Sequence, residues 1–141
     1  MYLLDTNVIS ELRKIKPGKA DRNVAAWSAS VAGEMLFVST ITLHEIEHGV
    51  LLKERSDPTQ GAILRAWFDD HVLPAFSGRV LDVDTAVALR SARLHVPDPR
   101  PTRDAFIAGT ALVHGMIIVT RNISDFEPMG TKLLNPWEVQ C

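Results

Sequence analysis

Short apolar runs alternate along the chain with longer stretches in which apolar residues recur at helical spacing. Each run is a few residues long and is bounded by polar, glycine or proline residues, which is typical of buried β-strands. The five runs that predict strands are residues 2–4, 35–38, 79–83, 116–119 and 132–134. Because strands alternate with helices, the pattern indicates a parallel sheet covered by helices on both faces. We therefore expect an α/β fold, a three-layer α/β/α sandwich around a central, mostly parallel sheet.

The stretches between these runs predict six helices, which have recognisable start and stop signals. Their expected ranges are residues 8–14, 23–31, 43–54, 58–74, 85–94 and 103–114. Asp84 and Thr102 are expected to cap the last two helices. Three prolines in five residues make 97–101 a loop, and residues 120–128 are also expected to form a loop.

The length and composition narrow the class of protein. At 141 residues the chain fits one domain over 1–141 and is too short for two ordinary ones. No apolar stretch approaches the ~18 residues that a membrane span requires, and the first residues have none of the features of a signal peptide. The single cysteine, Cys141, has no internal partner for a disulfide and indicates a reducing compartment. We expect a cytoplasmic protein that is not bound to a membrane.

Polar side chains follow several of the predicted strands, close to where each strand ends. Asp5 comes directly after the first strand, Glu45 lies shortly after the second, and Asp104 lies on the first turn of the helix after the proline loop. Asn122 and Asp125 follow the fourth strand. Because sites in parallel sheets form beyond the carboxyl ends of the strands, we expect these groups to meet at one edge of the sheet.

A cluster of carboxylates needs a compensating charge, because like charges a few ångström apart raise one another's pKa or attract a cation. Carboxylate oxygens without histidine or cysteine suit a hard divalent ion, Mg²⁺ or Mn²⁺. Such an ion orients water and offsets the charge of a phosphate. The cluster therefore favours phosphodiester hydrolysis as its chemistry.

Each of these acids also has a purely structural interpretation. Asp5 fits a helix cap, and Thr42 with Glu45 has the spacing of a capping box. Asp104 in a first helical turn is favoured by the helix dipole, while Asp125 fits a turn or the cap of a short helical turn. The argument for a shared site depends on four such residues falling at corresponding strand ends.

Four segments in order resemble the sequence motifs of PIN-domain proteins, in particular the toxins of VapBC toxin–antitoxin pairs and the similar FitB proteins. They are residues 3–11 (LLDTNVISE), 39–46 (STITLHEI), 103–108 (RDAFIA) and 119–126 (VTRNISDF). Residues 135–137 (NPW) resemble an ending common in this group. The resemblance spans nearly the whole chain, and it implies a single PIN domain that acts as a metal-dependent endoribonuclease.

The resemblance also implies roles for particular residues. Asp5, Glu45 and Asp104 would hold the metal, which activates a water for attack on phosphorus and leaves a 5′-phosphate and a 3′-hydroxyl. Some family members have an aspartate where this chain has Asn122, whose amide brings no charge. Asp125 then becomes the candidate for the fourth catalytic and metal-binding acid. Five side chains are candidates for supporting or phosphate-binding roles: Thr6, Thr120, Asn122, Arg103 and Arg121. For the two arginines, a solvated surface position is equally open.

Residues 44–48 (HEIEH) form a competing motif, because they match the H-E-x-x-H signature of zinc metallopeptidases. In that alternative Glu45 is the general base. The third ligand that such a site needs is not marked downstream, Glu47 puts a charge inside the motif, and the other strand-end acids are left unexplained. A second alternative is a non-catalytic PIN-like RNA-binding module, for which the absent charge at Asn122 is the indication.

The charge and the resemblance together define the expected partners. The formal net charge of -2 argues against binding of RNA through a broadly basic surface. Basic residues nevertheless concentrate in 13–22 and 90–103, which is compatible with RNA binding. Because the net charge is low, we expect that binding to be weak and to depend strongly on the metal. The resemblance implies a cognate antitoxin that binds a groove among the helices of residues 43–74. It further implies a homodimer, or a heterotetramer or larger assembly with the antitoxin.

Overall fold

A computed structural model of the chain describes residues 1–140 and contains a five-stranded sheet in which all neighbouring strands run parallel. The strands are β1 (Tyr2–Leu4), β2 (Leu36–Ser39), β3 (Val80–Leu81), β4 (Ile117–Val119) and β5 (Leu133–Leu134). Their order in the sheet is β3-β2-β1-β4-β5, which places the first strand of the chain at the centre. Cys141, on which the expectation of a reducing compartment depends, lies outside the described residues.

Helices connect successive strands, as the alternating pattern predicted. Within residues 1–140 they are α1 (Thr6–Leu12), α2 (Arg22–Ser30), α3 (Thr40–Ser56), α4 (Pro58–Trp67), α5 (Leu73–Ala75), α6 (Thr85–Arg93), α7 (Thr102–His114) and α8 (Ile123–Phe126). A π-helical turn, Phe68–Val72, joins α4 to α5, so a nearly continuous helix covers the range expected for residues 58–74. Ile63 of α4 is exposed.

Two apolar clusters lie on opposite faces of the sheet. Leu4 and Val119 belong to one cluster, which also contains side chains of α1–α4. Leu3 and Ile118 belong to the other, together with side chains of α7 and α8. Neighbouring residues of one strand divide between the two clusters because successive strand side chains point to opposite faces. The expected three-layer α/β/α architecture with a parallel sheet is confirmed.

The start of α3 differs from the prediction. The helix begins at Thr40, three residues before the expected Leu43, because the hydroxyl of Ser39 accepts the backbone N–H of Ile41 and caps it. Thr42 is therefore inside the helix, and the predicted capping box between Thr42 and Glu45 is wrong. Glu45 lies on the second turn of α3, where its side chain is available for long-range contacts.

Three other expectations need correction. Thr102 is the first helical residue of α7 and does not cap it, because Pro101 occupies the cap position without a side-chain hydrogen bond. The predicted loop 120–128 contains α8, followed by the 3-10 turn Glu127–Met129. Strand β3 is only two residues long, because it pairs with β2 at two positions.

Two close helix contacts fix the helical layers. Gly61 of α4 lies against the backbone of Glu54 in α3, where an added Cβ would come within 2.4 Å of the Glu54 Cα. Gly109 of α7 lies similarly against Ser91 of α6. Arg65 of α4 also binds the carboxylates of Glu47 and Glu54 on α3. The contacts of Gly61 and Arg65 hold α4 against α3, the helix that carries Glu45.

No helix among residues 1–140 combines the length and the apolar character that crossing a membrane would require.

Candidate active site

Asp5 lies at the centre of the carboxyl edge of the sheet, directly after β1. Its backbone N–H donates to the carbonyl of Val119 in the neighbouring strand, at 3.0 Å. One carboxylate oxygen caps α1 by accepting the backbone N–H of Thr6 at 2.8 Å. The residue is only 1% exposed, so its carboxylate depends on protein partners. The helix cap expected as a structural alternative is therefore real, and it uses only part of the carboxylate.

The second oxygen of the Asp5 carboxylate accepts hydrogen bonds from side chains of α1 and of the residue after β4. The hydroxyl of Thr120, the buried residue after β4, donates to this oxygen at 2.9 Å and accepts the backbone N–H of Asn122 at 3.0 Å. The side-chain amide of Asn7 donates to the same Asp5 oxygen at 3.5 Å and to the Thr120 hydroxyl at 3.4 Å. The carbonyl oxygen of that amide accepts the backbone N–H of Arg121 at 3.3 Å. The carboxylate orientation is thus fixed by two neighbouring elements.

Asn7 is the residue of this network that sequence reasoning did not place in the site. Its contact with Thr120 joins residues 113 positions apart. Its place two residues after Asp5, within the first family-like segment, was the available signal.

Glu45, Asp104 and Asp5 are brought together around a single guanidinium, that of Arg103. The Nε of Arg103 donates to the carboxylate of Glu45 on α3. One terminal nitrogen donates to Asp104 at 2.8 Å, and the other donates to Asp5 and to the hydroxyl of Thr6, the latter at 3.2 Å. One side chain therefore links β1, α3 and α7. The predicted convergence of these three acids is what the structure shows.

The electrostatics of the cluster reflect this arrangement. Burial is the largest influence on Asp104 and raises its pKa; Arg103 lowers the pKa of this carboxyl, while the charges of Asp125 and Asp5 raise it further, so the net shift is upward. Burial lowers the pKa of Arg103, but the ion pairs with Asp5 and Glu45 outweigh that effect and raise it. Arg103 thus remains a cation that compensates the surrounding carboxylates only in part.

The remaining predicted site residues lie around this centre without joining it. Asp125, the third residue of α8, is exposed and forms no ion pair within residues 1–140, yet its charge is close enough to raise the pKa of Asp104. It is not the cap of α8. Asn122 precedes that helix, and its side chain makes no capping hydrogen bond. Arg121 is exposed and its guanidinium lies 5.1 Å from the ring centre of Trp137.

The zinc-peptidase motif does not form a three-ligand site in the described part of the chain. His44 and His48 are exposed on α3, with ring centres 6.4 Å apart. Glu45, which that alternative needs as a base, is engaged by Arg103 instead. Asp69, an acid downstream of the motif, pairs with Arg65.

The donor set suits a hard divalent ion, although the present side-chain positions surround a guanidinium. Among residues 1–140, no three His, Cys, Asp or Glu side chains stand in metal-ligating geometry. A guanidinium is broader than a divalent ion, so carboxylates arranged around it stand farther apart than metal ligands do. Arg103 nevertheless acts as a stand-in cation, since it draws three carboxylates from three elements around one positive group. Oxygen donors of this kind are those that Mg²⁺ and Mn²⁺ prefer.

A groove of about 490 Å³ adjoins the carboxylate cluster between α1, α3 and α4. Thr6 and Glu45 belong to its lining, as do the apolar side chains of Leu64 and Trp67. The guanidinium of Arg13 lies 5.7 Å from the ring centre of Trp67. The groove therefore combines an apolar wall with basic and polar groups, and it is continuous with the candidate site.

Known proteins share this fold and this arrangement of segments. The family model for the PIN domain matches residues 2–128. VapC ribonuclease Y4jK of Sinorhizobium fredii is 37% identical over 143 residues, which cover 98% of this chain and 99% of that protein. Toxin FitB of Neisseria gonorrhoeae is 34% identical over 143 residues, covering 97% and 99%. The crystal structure of FitAcB from Neisseria gonorrhoeae matches with a TM-score of 0.88 at 31% identity, over 99% of this chain and 100% of that one.

These similarities extend over the sheet and over every element that carries a residue of the candidate site. The chain therefore belongs to the PIN-domain family, in the branch that contains VapC and FitB proteins. The resemblance inferred from the four sequence segments is confirmed.

Proposed function

We propose that the chain is a divalent-metal-dependent endoribonuclease and the toxin of a type II toxin–antitoxin pair. The observation that carries the proposal is the convergence of Asp5, Glu45 and Asp104 on one cationic group at the carboxyl edge of the sheet. The relative named VapC ribonuclease supports the reaction class, and the relative named toxin FitB supports the role as a toxin.

Asp5, Glu45 and Asp104 would hold Mg²⁺ or Mn²⁺, with Asp125 as the fourth acid at the exposed side. A divalent ion bound there supplies a Lewis acid for activating water and for offsetting phosphate charge. Thr6 and Thr120 keep the Asp5 carboxylate oriented through their backbone and hydroxyl groups. Such supporting contacts fix ligand geometry before the ion arrives.

The RNA backbone would approach the exposed side of the cluster. Arg121 is solvent-accessible there, and the backbone N–H groups of Arg121 and Asn122 bind Asn7 and Thr120 of the site network. A guanidinium in that position can bind a phosphate with two parallel hydrogen bonds. With a chain net charge of -2, affinity for RNA comes from these local groups and the metal rather than from bulk charge.

The cognate antitoxin would occupy the groove beside the cluster. One similar solved structure is that of FitAcB from Neisseria gonorrhoeae, and another, at 31% identity, is that of FitAB bound to a DNA fragment. In this chain, the groove wall formed by Leu64 and Trp67 offers an apolar surface to a peptide, and Arg13 offers a charge. A homodimer, extended by antitoxin to a heterotetramer or larger assembly, is the expected oligomeric form.

The reaction class is tested by the ends of the RNA products. Purified protein is incubated with a mixed RNA preparation in MgCl₂, in MnCl₂ or in EDTA, and the fragments are sequenced with adaptors specific for their ends. We expect fragments with 5′-phosphate and 3′-hydroxyl ends in either metal and none in EDTA. Cleavage that persists in EDTA, or that leaves 2′,3′-cyclic phosphates, would contradict the proposal.

The peptidase alternative is tested separately by metal analysis. Protein purified without chelator should contain much less than one zinc per chain. A stoichiometric zinc that is lost in a His44→Ala, His48→Ala variant would favour the peptidase motif over the carboxylate cluster.

A further inference from the structure

Arg103 occupies an unusual position for a basic residue. It is the second residue of α7, in a helical turn where the exposed backbone N–H groups make a positive charge unfavourable. Ion pairs with Asp5, Glu45 and Asp104, one for each nitrogen of the guanidinium, stabilise Arg103 in this position. If those carboxylates took another cation, little would hold Arg103 in place.

The surroundings allow the guanidinium to leave. The side chain of Arg103 is 32% exposed and that of Glu45 is 41% exposed, so the outer part of the cluster is open to solvent. Asp5 and Asp104 are held at the inner side, with side chains 2% and 13% exposed. Release of Arg103 therefore requires rotation of side chains at the solvent-facing side and leaves the buried carboxylates in place.

We propose that Arg103 is the resident counter-ion of the carboxylate cluster, and that a divalent ion binds only after the guanidinium has moved out. This inference rests on the proposed function, because it takes the cluster to be the metal site. The metal and Arg103 compete for the same oxygens of Asp5, Glu45 and Asp104. In the absence of metal, Arg103 prevents three carboxylates from repelling one another, and it also keeps the site closed.

The competition has a measurable consequence for metal affinity. When only a fraction of molecules is competent to bind, the dissociation constant rises by the reciprocal of that fraction. If Arg103 occupies the cluster in about nine molecules out of ten, its removal tightens metal binding about tenfold. A residue that merely prepared the ligands for the metal would have the opposite effect, since its loss would weaken binding.

The first test measures metal affinity without RNA. Mn²⁺ binding to the full chain is followed by electron paramagnetic resonance and by calorimetry for wild type, Arg103→Gln, Arg103→Lys and Arg121→Gln. We expect Arg103→Gln to bind about tenfold more tightly and Arg103→Lys to lie between it and wild type. Arg121→Gln removes a nearby charge that pairs with no carboxylate among residues 1–140, so its affinity for Mn²⁺ should stay within about twofold of wild type. Equal or weaker binding by Arg103→Gln overturns the proposal.

A second test uses the wild-type chain and does not depend on the folding of a variant. The Nε–H of Arg103 donates to Glu45, so its nuclear magnetic resonance signal should exchange slowly with solvent in EDTA. Saturating Mg²⁺ should move this signal and abolish its protection. A protected, unshifted signal at saturating Mg²⁺ overturns the proposal.

The two proposals fail in distinguishable ways. If both wild type and Arg103→Gln bind metal equally, only the counter-ion role of Arg103 is wrong. If neither binds metal, the proposed metal site is wrong and the role of Arg103 falls with it. If the affinity difference is found but no RNA is cleaved, only the proposed nuclease activity is contradicted.

Discussion

The hydroxyl of Thr120 provides a sharp test of how the buried carboxylate is held. Thr120→Val keeps the volume and β-branching of the side chain but removes the hydroxyl. That hydroxyl donates to Asp5 at 2.9 Å and accepts the N–H of Asn122 at 3.0 Å. Both Thr120 and Asp5 are almost completely buried, so water does not readily replace the lost donor.

The expected loss in the free energy of unfolding follows from these contacts. A hydrogen bond to a charged group contributes about 1.5–3 kcal/mol, so Thr120→Val should lower the free energy of unfolding by about 2 kcal/mol. For a chain of this length that loss corresponds to a decrease in Tm of about 4–8 °C. Thr120→Ser keeps the hydroxyl and loses one methyl group, so it should cost about 1 kcal/mol.

A double-mutant cycle separates the hydrogen bond from general packing. Urea unfolding in EDTA is measured for wild type, Thr120→Val, Asp5→Ala and the double variant. We expect a coupling energy of about 2 kcal/mol between the two sites, within the range found for contacting residues. If Thr120→Val costs the same with and without the Asp5 carboxylate, the assignment of Thr120 as its anchor is wrong.

Two further predictions concern the helices around the site. Gly61→Ala should destabilise the fold by about 2 kcal/mol in thermal denaturation, because its Cβ would lie 2.4 Å from the Glu54 Cα. A Cβ added at Gly49 would meet no atom of residues 1–140 within 4 Å outside its own helix, so Gly49→Ala should stabilise the fold by about 0.5–1 kcal/mol. Equal changes in stability for the two variants would contradict the close contact at Gly61. The hydrogen bond from the backbone N–H of Asp21 lowers the pKa of Glu11 from its ordinary value, so this carboxylate stabilises the fold at pH values above the ordinary pKa of a glutamate. As the pH falls through the lowered pKa, the free energy of unfolding of the wild type should fall by about 1 kcal/mol relative to that of Glu11→Gln. If the unfolding free energies of the two proteins change in parallel with pH, this prediction is refuted.

The apolar runs predicted all five strands because a parallel sheet is buried on both faces and its strands are therefore apolar throughout. The positions of the strand ends do not follow from the apolar runs alone. Residues 79–83 are equally compatible with a longer strand, but β3 is an edge strand that, within residues 1–140, pairs only with β2. Its length is set by the partner's register, which local sequence does not contain.

Helix boundaries were missed where two local signals compete or where tertiary contacts decide. Ser39 and Thr42 are both acceptable helix caps, and the structure uses the first. The short helix α8 was expected as loop because its sequence has weak local signals. It is stabilised by Phe126, with Met129 just beyond it, since both are buried in one apolar cluster. Such packing depends on α7 and the sheet, which are distant in sequence.

The location of the candidate site could be predicted, but its present contacts could not. The topology of parallel strands is enough to bring Asp5, Glu45 and Asp104 to one edge. The placement of Arg103 depends on side-chain contacts across 58 and 98 residues of sequence, to Glu45 and Asp5. From the sequence alone, Arg103 could face solvent, bind an RNA phosphate or pair with carboxylates. Only the folded structure shows which of these partners it has.

If Asp5, Glu45 and Asp104 form the catalytic metal site of an RNA-cleaving toxin, loss of one of these carboxylates should abolish cleavage. The most direct measurement is the initial rate of RNA cleavage in saturating MgCl₂ by wild type, Asp5→Asn and Asp70→Asn, with folding checked by circular dichroism. Asp70 is exposed and forms no ion pair within the described residues 1–140, so Asp70→Asn should retain the wild-type rate. Asp5→Asn should lose about 100-fold or more. Undiminished cleavage by a folded Asp5→Asn variant would show that this carboxylate cluster is not the catalytic metal site.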